Sequence, residues 1–113
     1  MWILTPFGFF SVVQKNGEQK LSVRSRVYAD LHNLIQTYLP HSQTIHRGGY
    51  SDYPYRIFVS HTDWAKALAR ITHDIQYPNF KRKVKSQQGV ARAKIYGQVW
   101  RTLCALETKC DET

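Results

Sequence analysis

The strongest constraint on the fold comes from two extended runs of chain on either side of Asn16-Gly17. An Asn-Gly pair accepts the positive φ that a tight hairpin demands, so Lys15-Asn16-Gly17-Glu18 is expected to reverse the chain. Before it, residues 2–14 (WILTPFGFFSVVQ) are rich in aromatic and β-branched side chains, with Pro6 and Gly8 placing a bend or bulge near the start. After it the sequence alternates, with Leu21, Val23 and Val27 on one face and Ser22, Arg24 and Arg26 on the other. A β-hairpin follows from this pattern.

Helical periodicity comes next. Val27, Leu31, Leu34, Ile35, Tyr38 and Leu39 form one apolar stripe, and Pro40 ends it. A short strand is expected around Thr44 to Arg47. A longer one runs from Tyr53 to Ser60, with Tyr53, Tyr55, Ile57 and Val59 on one face and Arg56 and Phe58 on the other. Ser60 or Thr62 caps a second helix whose stripe is Trp64, Leu68, Ile71 and Ile75. Asn79 caps a short helix carrying Phe80 and Val84. Beyond Gly89 a last helix sets Ile95, Val99, Leu103 and Leu106 in one line, with Tyr96 and Trp100 beside it. The order predicts an α+β fold. An antiparallel sheet of about four strands in two hairpins packs against helices, as a ferredoxin-like type of sandwich with a helical C-terminal third.

At 113 residues the chain has room for one domain of ordinary size, expected over residues 1–113, and 42% hydrophobic residues suffice for a core. No apolar run approaches the roughly 18–20 residues that span a bilayer, so no membrane partner is expected. The opening Met1-Trp2-Ile3-Leu4 lacks a basic leader and Pro6 interrupts it, so no secretory signal is read there. Cys104 and Cys110 then read as free thiols of a cytoplasmic protein. No paired Cys or His spacing offers a metal site, and no cofactor is implied.

Charge points to the partner. Sixteen Lys and Arg against eight Asp and Glu give a net charge of +8. From Ile75 to Leu106 there are seven basic residues and no acid, which leaves nine against eight elsewhere. An ordinary solvated helix face mixes signs; this stretch does not. Basic side chains at that density neutralise phosphates. The expected function is a small nucleic-acid-binding module, with RNA or single-stranded DNA favoured. Lys81, Arg82, Lys83, Lys85, Arg92 and Lys94 are the expected phosphate contacts. Arg24, Arg26, Arg47, Tyr50, Tyr55 and Arg56 would add stacking or bidentate contacts from the sheet. The aromatics of Phe7 to Val13 lack the pattern of an RNA-recognition strand, and Phe9 or Phe10 is expected in the core.

Two other functions compete. His46, Tyr50 and Arg47 or Arg56 fall within eleven residues that also hold Gly48-Gly49. A metal-independent ribonuclease or cyclic-nucleotide phosphodiesterase needs a base, an acid and a cation of this kind. His32, His41, His61 and His73 form no catalytic or metal pattern. The third reading is a bacterial or phage regulator gripping an acidic protein surface, and a free sheet edge would allow a homodimer.

Five sequence pieces go together: Met1-Trp2-x-x-Thr5-x-x-Gly8-Phe9-Phe10-Ser11-Val12-Val13, Val23-Arg24-x-Arg26-Val27, Asp52-Tyr53-x-Tyr55-Arg56, Tyr77-x-Asn79-Phe80-Lys81 and Tyr96-x-x-Val99-Trp100. As a set they span nearly the whole chain, which thereby resembles a family of short, uncharacterised bacterial proteins. The resemblance implies a bacterial, cytoplasmic single domain and assigns no activity.

Overall fold

Thr5, Pro6, Phe7 and Gly8 do more than bend the first strand. In the computed structural model, which describes residues 1–48 and 52–107, they close a hairpin between β1 (Trp2–Thr5) and β2 (Gly8–Val13). Thr5 Oγ1 donates to the Gly8 carbonyl at 2.7 Å and accepts from the Gly8 amide at 3.0 Å, so the side chain satisfies the turn that Pro6 preorganises. Met1 extends the ladder, its N-terminal ammonium donating to the Val12 carbonyl at 2.8 Å. This extra hairpin makes the sheet five-stranded rather than about four-stranded. Tyr50 and Cys110 lie outside the described residues.

The connection at residues 14–20 leads into β3 (Leu21–Ser25), antiparallel to β2. The strand stops there because Ser25 Oγ bonds to the Val27 carbonyl at 2.8 Å and Val27 becomes the N-cap of α1 (Tyr28–Tyr38). Val27 is exposed, outside the stripe expected of it, while Leu31, Leu34, Ile35 and Leu39 are buried. After α1 come β4 (His46–Arg47) and β5 (Tyr55–Val59), then α2 (His61–His73). Ser60 caps α2, its Oγ accepting from the Asp63 amide at 3.0 Å.

The strand order is β1-β2-β3-β5-β4, with every hydrogen-bonded pair antiparallel. β3 and β4 therefore run in the same direction with β5 between them. Together with α1 they form the split β-α-β unit of the expected α+β sandwich. The place on the other side of β3 is taken by β2 of the N-terminal hairpin. Phe10, Val12, Leu21, Val23, Ile57 and Val59 point to one face and pack on Leu31, Leu34 and Ile35 of α1 and Trp64 and Ala67 of α2. Each large side chain buried there contributes about 1.5–3 kcal/mol. Gly8 lets α1 come close: a Cβ at that position would meet the Asp30 Cβ at 2.7 Å. Asp30 Oδ2 in turn accepts from the Phe9 amide at 3.0 Å.

Those elements make up one compact unit, Met1–Gln76, and Tyr77–Thr113 make a second. In the second unit Asn79 caps α3 (Phe80–Gln88), its Oδ1 accepting from the Arg82 amide at 2.9 Å, as its sequence position predicts. Gly89, at φ 94°, turns the chain directly into α4 (Val90–Leu103). Phe80 and Tyr96 stack at 5.9 Å with their planes 4° apart, and Val84 and Ala93 are buried. The stripe expected to anchor α4 is not its buried face: Ile95, Leu103 and Leu106 are exposed. The small residues Ala93 and Gly97 allow α3 to approach, and the Lys81 side chain reaches to 4.0 Å of where a Gly97 Cβ would stand. Among the described residues no helix is long and apolar enough to cross a membrane.

Candidate functional site

Directly opposed residues of antiparallel strands share one face of a sheet. The register therefore sets Trp2, Ser11, Arg24, Arg56 and His46 in a single row across β1, β2, β3, β5 and β4. This row lies on the face turned away from α1 and α2. Leu4 and Phe9 flank it on one side; Val13, Ser22 and Phe58 flank it on the other.

The row is bound together by aromatic and hydroxyl contacts. Arg24 Nη2 donates to Ser11 Oγ at 2.6 Å, and its guanidinium lies 4.6 Å from the centre of the Tyr53 ring. Arg26 reaches the same ring at 4.9 Å while donating to the Asp52 carbonyl at 3.0 Å. Tyr53 leans on Phe9 at 6.4 Å, and Trp2 meets Phe9 edge-on at 5.8 Å. At the far end His46 packs on Phe58 at 5.3 Å. Trp2 at one end of the row is 70% exposed and His46 at the other end is exposed, whereas Ser11 and Arg56 between them are 1% and 4% exposed. Two polar atoms on this face, Arg24 Nε and Ser22 Oγ, are buried without a hydrogen-bond partner.

The electrostatics follow from the register. Three guanidiniums share this face, with Asp52 beside Arg26, while Asp30, Asp63 and Asp74 sit on or beside α1 and α2. Guanidinium groups offer paired donors to phosphate oxygens, and an exposed indole offers a plane to a base.

The residues expected at the site from the sequence divide between locations. Arg24, Arg26 and Arg56 come together as expected of the sheet. Arg47 and Tyr55 are each one residue along from His46 and Arg56 and so point to the opposite face. There Arg47 Nη2 donates to the Tyr55 hydroxyl at 3.1 Å, and Tyr55 meets Tyr28 at 5.7 Å. Tyr50 lies outside the described residues, so the His46 and Tyr50 pair is described only in its first member, which is exposed. Of the other histidines, His32 stacks on Tyr28 at 6.3 Å, and His61 and His73 are the exposed end residues of α2.

Simple alternation puts Tyr53 on the core face, and the structure corrects this. β5 begins only at Tyr55, because Pro54 has no amide for the ladder, and Tyr53 turns to the arginine face. That proline was the available signal. Ser11 and Trp2 were missed because their place depends on which strands pair.

The basic residues of the C-terminal third belong to the second unit. Lys81, Arg82, Lys85 and Lys94 are exposed there, while Lys83 and Arg92 are half-buried. Arg92 lies 5.8 Å over the Tyr96 ring. Cys104 is a half-buried free thiol. No family model matches the chain, and neither a curated protein nor a solved structure does.

Proposed function

We propose that this chain is a small bacterial, cytoplasmic module that binds single-stranded nucleic acid, RNA or single-stranded DNA, on the face of its sheet turned away from α1 and α2. The observation that carries the reading is the row of Trp2, Ser11, Arg24, Arg56 and His46, with Tyr53 held under Arg24 and Arg26. Guanidiniums interleaved with aromatics serve both parts of an unpaired strand. The cations take phosphates, and the rings take bases without regard to sequence.

The second unit supplies a separate basic surface. Lys81, Arg82 and Lys85 on α3 and Lys94 on α4 are exposed there and would serve as phosphate contacts, with Phe80 and Trp100 exposed in the same unit. Such contacts strengthen binding uniformly across sequences and make it fall steeply with salt.

A fluorescence-anisotropy titration with labelled single-stranded RNA, single-stranded DNA and duplex DNA tests the reading. Single strands are expected to bind more tightly than duplex, and to remain intact on a denaturing gel. Replacing Lys81, Arg82, Lys83 and Lys85 with Glu is expected to weaken every probe and flatten the salt slope. Equal affinity for duplex and single strands would contradict the sheet as the binding surface, and no binding near physiological salt would end the proposal.

A further inference from the structure

The row across the sheet ends on β4, which stands last in the strand order and pairs with β5 alone among the described residues. The two residues of β4 face opposite ways. His46 belongs to the row and packs on Phe58 at 5.3 Å. Arg47 turns to the other face, where it lies 5.4 Å over the Tyr55 ring and donates to its hydroxyl at 3.1 Å. Both side chains are exposed, so an imidazole and a guanidinium straddle the edge of the sheet.

Past Arg47 the aromatic surface continues onto α1. Tyr55 meets Tyr28 edge-on at 5.7 Å, and His32, one helical turn from Tyr28, stacks on it at 6.3 Å with the planes 17° apart. Tyr28 is 52% exposed and His32 is exposed, so the stack belongs to the surface rather than the core. Its surroundings carry no anionic side chain in sequence: between Asp30, which is buried, and Asp52 there are three His, one Arg and no Asp or Glu. A guanidinium beside exposed rings suits phosphates and unpaired bases. A duplex is too stiff to turn the edge of one sheet.

We infer that a single strand bound along the row turns round the β4 edge and continues onto Arg47, Tyr55, Tyr28 and His32, so that one strand contacts both faces of the sheet. The inference rests on the nucleic-acid reading of the row and adds to it a second platform and a minimum length. Four strand spacings make the row about 19 Å wide. About six nucleotides cover that width at a stacked rise of ~3.4 Å. A strand shorter than the row is held by the row alone, and only a longer one also reaches the Tyr28 and His32 stack.

Fluorescence anisotropy of the full chain with labelled oligouridylates of about four and about twelve nucleotides, within the range that single-strand platforms cover, tests it at low salt. The longer strand is expected to bind more tightly. Tyr28→Leu keeps an apolar contact with Tyr55 but has no π face. It is expected to weaken the longer strand at least about fivefold and to leave the shorter one unchanged, with unaltered circular dichroism. Tyr28→Phe is expected to keep the affinity for both, and Arg47→Gln to weaken the longer strand alone. A longer strand that binds Tyr28→Leu and Arg47→Gln as tightly as the unaltered protein overturns the inference and leaves the row intact. So does a Tyr28→Leu effect of equal size on both lengths. Binding of neither length by the unaltered protein ends the nucleic-acid reading, and the inference with it.

Discussion

Arg24 and Arg56 stand directly opposite each other on β3 and β5, two like charges at a cross-strand position on one face of the sheet. Like charges so placed destabilise a sheet by roughly 0.2–1 kcal/mol. Arg24 offsets part of that by donating to Ser11 Oγ and lying over Tyr53.

Arg24→Met separates stability from binding. The substitution removes the repulsion together with the bond to Ser11, so the unfolding free energy is expected to change by less than about 1 kcal/mol. Single-strand affinity is expected to fall at least about tenfold, or ~1.4 kcal/mol. Urea denaturation and anisotropy on the same preparation measure both.

Tyr53 carries two guanidiniums on one ring, and the ring is the part that matters. Tyr53→Phe is expected to keep both affinity and stability. Tyr53→Ala empties a buried site and is expected to cost about 3 kcal/mol in stability. Tyr53→Leu fills the space without a π face, so it is expected to retain the fold and lose affinity. Thermal unfolding with parallel binding titrations distinguishes the three.

Gly8→Ala tests the packing of α1 on the N-terminal hairpin. Its Cβ would fall 2.7 Å from the Asp30 Cβ and 2.8 Å from the Phe10 ring. Overpacking of this kind is expected to cost about 1–3 kcal/mol, read as a lower urea midpoint at an unchanged slope.

Asn79→Ala removes the cap of α3, whose Oδ1 accepts from the Arg82 amide. A loss of about 1 kcal/mol is expected, confined to that helix. Faster hydrogen exchange at the Arg82 amide is the direct readout, and Asn79→Asp is expected to keep most of the protection.

Local rules made much of the fold legible. Asn79 and Ser60 announced their helices because a cap needs only its own neighbours. Leu31, Leu34 and Ile35 announced a buried stripe because α1 packs on a sheet broad enough to receive it. The same periodicity misled in α4, where Ile95 and Leu103 are exposed, since a stripe does not say what covers it.

The candidate site was legible in part for a related reason. Alternation placed Arg24 and Arg56 on one face of their own strands. The row that joins them to Trp2, Ser11 and His46 depends on strand order and register, which no single strand encodes. Pro54 shifted the start of β5 and moved Tyr53 to the arginine side, against the alternation.

The most direct test of the sheet face as a single-strand site is an anisotropy titration of a labelled single strand against the unaltered protein and Arg24→Glu, at one salt concentration near physiological. The row predicts saturable binding by the unaltered protein and its loss, by at least about a hundredfold, in the folded variant. Equal affinity of the two proteins would contradict it.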